Sequence, residues 1–247
     1  MITRTRVDGR PRHQQIAADL RSLIMSGDLP AGAQLPSTQQ LVERYDAANA
    51  TIQRALSALK DEGFLHSRVG KGVYVRDRQP LTVDAQPYLA PGDKAYSYRL
   101  LDVTEVRPPV EVAQVFQLPT DGVALLRHRL LSHDGEPVEL SWSYYPVDIA
   151  AGTELAGRGR IRGGAPRVLA DLGFPQRGFT DRLSVRMPTT DELTALELPD
   201  DVPVVRQFRV VHSDDLRPVE VSVLIKGGHR YELRYSGVED SSSHRSR

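Results

Sequence analysis

The chain has 247 residues, enough for two ordinary domains at roughly 100–200 residues each. Its composition, 40% hydrophobic and 26% charged, is that of a globular chain, no apolar run approaches the roughly 20 residues of a membrane span, and the absence of cysteine excludes disulfides, thiolate zinc sites and a cysteine nucleophile. The formal net charge of +0 argues against a nucleic-acid partner only until it is divided: residues 1–78 hold 12 basic and 8 acidic residues, a net of +4, and residues 79–247 hold 20 and 24, a net of −4.

Ile16, Leu20, Leu23 and Ile24 form one apolar stripe and predict a helix over 12–26, which Gly27, Pro30, Gly32 and Pro36 stop. Ser37 with Gln40 three residues on is the pattern of a capping box, opening a second helix that runs to about Tyr45. After a turn at 46–48, Asn49 is expected to cap a third helix whose Ile52, Ala55, Leu56 and Leu59 are buried before Gly63 ends it. Residues 64–68 and 73–76 read as two strands around a hairpin tip at Val69-Gly70-Lys71-Gly72. Two helices joined by three residues and followed by a hairpin make a winged helix-turn-helix over 1–78.

Prolines 80, 87 and 91 mark a linker over 79–94. The second domain, 95–238, repeats itself at an offset of 79 to 81 residues. Val106-Arg107-Pro108-Pro109 is echoed by Val185-Arg186-Met187-Pro188, Phe116-Gln117-Leu118-Pro119 by Leu196-Glu197-Leu198-Pro199, and Pro137-Val138-Glu139-Leu140-Ser141 by Pro218-Val219-Glu220-Val221-Ser222. Leu125-Leu126-Arg127 aligns with Val204-Val205-Arg206, and His133 with His212 in two turns. A duplicated helix-strand-turn-strand unit predicts an α+β domain with pseudo-twofold symmetry. The tail 239–247, lacking apolar residues, is expected to be disordered.

With the third helix's stripe buried, its other face presents Asn49, Gln53, Arg54 and Ser57. Amides bond adenine bidentately, and arginine reaches guanine or phosphate. Ser37 and Thr38 at the second helix's N-terminus, Lys71 between Gly70 and Gly72, and Arg10 and Arg12 in the N-terminal arm are candidate backbone contacts. The same pattern fits a winged helix that binds protein, with Asn49 only a cap. In the second domain Arg127 and Arg129 share one strand face, as do Glu139, Ser141 and Ser143 on the next strand. Paired arginines can hold a phosphate or carboxylate, and the face can equally carry solvated cross-strand salt bridges.

Further residues carry a resemblance. Pro11-x-His13-x-Gln15-Ile16, Leu35-Pro36-Ser37, Thr51-Ile52-x-x-Ala55-Leu56-x-x-Leu59-x-x-Glu62-Gly63 and Gly70-x-Gly72-x-x-Val75 resemble the DNA-binding domain of GntR-family bacterial transcriptional regulators. Gln39, Asn49, Thr51 and Gln53 occupy segments where that family commonly has arginines or the pattern Ser-Arg-x-Thr-Val-Arg, which implies an operator less dependent on guanine. The segment 95–237 is similar to the UTRA effector-binding domain of HutC-type members, a fold similar to chorismate lyase. That resemblance implies an effector pocket at Arg127, Arg129 and Glu139, with Glu220 from the second copy and Lys226 at a variant position. Gly163-Gly164-Ala165-Pro166 also departs from a common Ser-Leu-Tyr, so the ligand need not be a sugar phosphate.

The expected protein is therefore a cytoplasmic bacterial regulator, nucleoid-associated when bound, that acts as a repressor. It is expected to bind a palindromic operator in double-stranded DNA as a homodimer and to respond to a small, anionic effector through the linker. No catalytic residue, cofactor or metal is expected, because no nucleotide-binding, nucleophile-elbow or His-x-x-x-His pattern occurs. Two alternatives stay open: a chorismate-lyase-like enzyme, and a constitutive DNA-binding protein with a decayed pocket.

Overall fold

The computed structural model describes residues 8–77, 81–85, 96–199, 202–229 and 231–235. The chain divides after Pro80 into two compact units. The expected tail at 239–247 lies outside the described residues, as does most of the expected linker.

The first unit holds α1 (Arg12–Ser26), α2 (Thr38–Tyr45), α3 (Asn49–Asp61), β1 (Leu65–Arg68) and β2 (Gly72–Val75). Ile16, Leu20, Leu41, Ile52, Ala55, Leu59, Leu65 and Val75 close one core. Ser37 and Gln40 form the capping box at the start of α2, each side chain bonding the other residue's backbone N–H. Asn49 is corrected from cap to first helical residue: Ala48 holds the cap position and contributes no side-chain bond, so the amide of Asn49 is left outside the helix's own hydrogen bonding. Residues 32–35 add an edge to the β1–β2 hairpin through Gly32 N–Val75 O (3.0 Å), Val75 N–Ala33 O (2.8 Å) and Leu35 N–Val73 O (2.8 Å).

The second unit begins where a linker was expected. β3 (Leu81–Asp84) pairs in parallel with β10 (Tyr231–Arg234), and an Asp84–Arg234 ion pair at 2.6 Å fastens the two. The expectation of an irregular 79–94 fails at 81–85 because alternating Leu81 and Val83 find a strand partner 150 residues away, a pairing that local proline content does not reveal.

The main sheet has the order β4-β5-β6-β9-β8-β7, with β4 (Tyr96–Val106), β5 (Ala124–His133), β6 (Glu136–Pro146), β7 (Gly178–Arg186), β8 (Val204–His212) and β9 (Pro218–Gly227), all neighbours antiparallel. This is the duplication made visible: β4, α4 (Val110–Phe116), β5 and β6 form one copy, and β7, α7 (Thr190–Ala195), β8 and β9 the other. The copies meet at β6–β9, where the Ser143 and Ser222 hydroxyls lie 2.8 Å apart. Both copies leave their helix through a left-handed residue, Gln117 (φ 54°) and Glu197 (φ 50°), and both turn their hairpin through a left-handed aspartate, Asp134 and Asp215.

The sheet also corrects the alignment of Arg127 with Arg206. Ala124 lies opposite Val106 and Val204 opposite Arg186, so the strands start in step at 124 and 204, and the counterparts of Arg127 and Arg129 are Gln207 and Arg209. A one-residue slip reverses the face. Arg206 stands on the opposite face, against Glu111 of α4 and the ring of Phe208. That face packs against α4 and α7 through Val112, Tyr144, Phe208, Leu196 and Leu198. The other face is covered by α5 (Val147–Ala150) and α6 (Gly164–Asp171), packed on Leu125, Tyr145 and Val211.

Candidate functional sites

In the first unit, α3 buries Ile52, Ala55, Leu56 and Leu59 and exposes Asn49, Gln53, Arg54 and Ser57, with Thr51 half-buried. Gln53 Nε2 donates to Thr38 Oγ1 at 3.1 Å, which joins α3 to the start of α2. Ser37 spends its hydroxyl on the Gln40 amide, and exposed Gln39 reaches Glu43 at 3.5 Å. Arg10 is paired with Asp8 at 2.7 Å. Arg12 donates to the Tyr45 carbonyl at 2.7 Å and to Gln15, an internal tie between α1 and the C-terminal end of α2 rather than a guanidinium held clear of the unit.

The hairpin tip is built for projection. Gly70 has φ +71° and Gly72 φ +110°, and a Cβ on Gly72 would meet Gln34 Nε2 at 2.9 Å. Gln34 Nε2 donates to the Lys71 carbonyl at 2.7 Å, and Tyr74 Oη reaches the same carbonyl at 3.1 Å, which fixes the tip while the Lys71 side chain is exposed. Sequence reading missed Gln34 and also Arg68, whose guanidinium lies 4.5 Å from the centre of the Tyr74 ring. The signal for both comes from strand pairing across 31–75, which local patterning does not contain.

In the second unit, a cavity of about 660 Å³ opens over β4 and β5, roofed by residues 160–165. Arg127 and Arg129 line it together with Tyr96, Tyr98, Arg160 and Arg162. Arg127 is fully buried, and its guanidinium donates to the carbonyls of Leu155 (2.7 Å), Gly157 (2.6 Å) and Gly159 (3.2 Å), so it holds down the segment that leads into the roof. Burial lowers its pKa. Arg129 donates to the hydroxyls of Ser143 (2.7 Å) and Ser141 (3.2 Å).

Glu139, Glu220 and Lys226 do not line this cavity, which corrects the expectation of one pocket shared by all five residues. Glu139 and Lys226 face each other across β6–β9 and form a buried ion pair at 3.0 Å. Lys226 Nζ also donates to Gln207 Oε1 at 2.9 Å, and burial holds its pKa below the usual lysine value. Gln207 and Arg209 both donate to Asp181, at 2.9 and 2.7 Å, and Arg209 also bonds the Ala85 carbonyl. Burial opposes the charged form of Asp181, but its bonds from Arg209, Tyr235 and Gln207 and the charge of Arg209 outweigh it, so the carboxyl stays below its usual range. Partial desolvation and its bond to Asp181 push the hydroxyl of the exposed Tyr235 up to about 12. Glu220 accepts from Ser222 at 2.7 Å. Sheet register decides this grouping: residues on neighbouring strands meet only where the pairing puts them.

The pattern described as bacterial regulatory proteins, gntR family, matches residues 12–75, and that of the UTRA domain matches residues 92–232. The chain belongs to the GntR family and carries a UTRA domain. This GntR-family chain is 28% identical over 259 residues to an uncharacterized HTH-type transcriptional regulator of Streptomyces coelicolor, covering 94% of this chain and 95% of that protein. It is 26% identical over 235 residues to an HTH-type transcriptional regulator of Mycobacterium tuberculosis, covering 90% and 84%. Its fold resembles the crystal structure of PhnF from Mycobacterium smegmatis, with a TM-score of 0.58 and 18% identity over 91% of this chain and 99% of that one. It is a transcriptional regulator of the GntR/UTRA type, with a winged helix-turn-helix and a UTRA domain. No helix among the described residues is long and apolar enough to cross a membrane.

Proposed function

We infer that the chain represses transcription as a homodimer on a palindromic operator and is released or retuned by a small anionic effector held in the cavity over β4 and β5. The observation that carries this reading is the conjunction, in one chain, of an exposed α3 face bearing Asn49, Gln53 and Arg54 with a cavity walled by arginines. In this reading Asn49 and Gln53 bond adenine edges, Arg54 takes guanine or phosphate, and Lys71 takes the backbone beside the wing. Ser37, Thr38, Gln39, Thr51 and Ser57 flank the same face. The amides at 39, 49 and 53 make the operator less guanine-dependent than in relatives with arginine there.

Binding-site selection followed by footprinting tests the reading. A twofold-symmetric site without an invariant guanine beside α3 is expected, and an asymmetric site would overturn the dimer on a palindrome. Gln53→Ala is expected to weaken operator binding about tenfold or more and to relax specificity at one base pair. Lys71→Ala is expected to weaken all sequences alike and to reduce the salt slope by about 1. A sensor binds its ligand without turnover, so pyruvate released from chorismate would favour an enzyme instead.

A further inference from the structure

Gln53 of α3 and Thr38 of α2 are joined by a hydrogen bond, Gln53 Nε2 donating to Thr38 Oγ1 at 3.1 Å. Both ends are held by the fold. Thr38 is the first residue of α2, directly after the Ser37 cap, and the Ser37/Gln40 box fixes that turn through Gln40 N–Ser37 Oγ (3.3 Å) and Ser37 N–Gln40 Oε1 (2.8 Å). Leu41 of α2 and Ile52 of α3 are fully buried in the core of the first unit, so the backbones that carry the pair are set by packing. Thr38 is half-buried and Gln53 is exposed, on one stripe of α3 with Asn49 and Ser57, each a turn away. Among the described residues the Thr38 hydroxyl is the one hydrogen-bond partner of the Gln53 side chain.

A glutamine amide has two N–H donors and one oxygen acceptor, and the way the amide is turned decides which of them it shows to a base. An amide without an internal partner can turn either way. It meets adenine by giving one N–H to N7 and accepting from N6, and it can meet guanine by giving both N–H groups to N7 and O6. With one N–H spent on Thr38, Gln53 keeps one N–H and Oε1, the pair that adenine complements. Against guanine the same orientation satisfies one acceptor and sets Oε1 against the other, two acceptors with no proton between them. We propose that Thr38 determines specificity through Gln53: it fixes the amide so that α3 takes adenine and refuses guanine at one base pair of the operator. Thr38 is thus a positioning residue, and Gln53 is the side chain that touches the base. This rests on the reading of α3 as the helix that meets the bases and adds what sets its choice between them.

Selection of duplexes on the full chain, followed by competition titrations, tests it. Gln53→Ala marks the base pair at which specificity relaxes, and the selected duplex is then compared with one carrying G·C in place of A·T there. The parent chain is expected to favour the A·T duplex about tenfold or more. Thr38→Val removes the acceptor and keeps the volume, and its preference is expected to fall below about threefold. Thr38→Ala, which removes the same acceptor, should behave alike, and Thr38→Ser, which keeps the hydroxyl, should keep the parent ratio. In a Gln53→Ala background the Thr38 changes are expected to leave the ratio where it is, because the residue through which they act is gone. A purely structural role would weaken both duplexes alike. A parent preference for G·C or C·G at that base pair, or a ratio that Thr38→Val and Thr38→Ala both leave unchanged, would overturn the proposal and leave operator binding standing. Selection that recovers no common duplex would overturn operator reading by α3 as well.

Discussion

The two copies of the duplicated sheet carry equivalent strands and have opposite fates on one face. Over β4 and β5, Arg127 bonds backbone carbonyls, the partners of Arg129 include the Ser143 hydroxyl, and both arginines line a cavity. Over β7, β8 and β9, their counterparts Gln207 and Arg209 are closed off by Asp181, the Glu139–Lys226 pair, Tyr231, Tyr235 and the Ala85 carbonyl. The second half is filled by the chain's own β3 and β10. Duplication supplies the same polar floor twice, and among the described residues only the second copy's floor is covered by β3 and β10.

That contrast can be broken from the filled side first. Glu139→Gln leaves Lys226 buried without its carboxylate and is expected to cost about 3 kcal/mol. Urea unfolding followed by Trp142, the single tryptophan of the chain and part of β6, reads the second unit alone. Glu139→Gln/Lys226→Met should recover most of the loss, because replacing the ammonium by an uncharged side chain of similar length removes the stranded charge. A cost below about 1 kcal/mol for the single change would show that this pair does not hold the half closed.

On the open side, Arg127→Met removes the donors to Leu155, Gly157 and Gly159 and is expected to cost about 2 kcal/mol. Hydrogen exchange should quicken at 153–163 and stay unchanged across β8. Exchange rising equally in both halves would contradict a latch confined to the roof.

Acid sharpens the comparison further. The folded pKa of Asp181 is depressed, so its contribution to stability is complete above the unfolded value of about 3.9 and is lost as pH falls through the folded value. Asp181→Asn should flatten the stability profile below about pH 4, and an unchanged slope there would remove Asp181 from the account.

The smallest effect lies on the opposite face, where His128 occupies the position that Phe208 holds in the second copy. His128 stacks on Trp142 with centroids 4.5 Å apart, and burial holds its pKa below the ordinary histidine value. Trp142 emission is expected to be quenched on acidification with a midpoint below about 6.5, and His128→Phe should abolish the step. A midpoint above that value would mean that burial does not govern this ring.

Much of this was legible in advance because it is local. The stripe of α1, the Ser37/Gln40 box and the Ile52–Leu59 stripe of α3 are set by residues within a few turns of each other, and the structure forms them at 12–26, 38–45 and 49–61. The duplication was legible from three sequence echoes. Arg160 and Arg162 were available as a basic alternation beside Gly163-Gly164, a signal that went unread. The third wing edge, β3 and the face of Arg206 were not legible, since each depends on a partner strand that is distant in sequence or on a one-residue register.

By itself the sequence determined a reader with an amide-bearing third helix and a duplicated second domain with an arginine pair on one strand face. Only the tertiary structure decided which polar residues meet. Glu139 and Lys226, 87 positions apart, became partners because β6 and β9 pair at the junction of the copies, while Arg127 was turned to the backbone beneath the cavity roof. Periodicity fixes the face of an element, and pairing between distant strands fixes what that face touches.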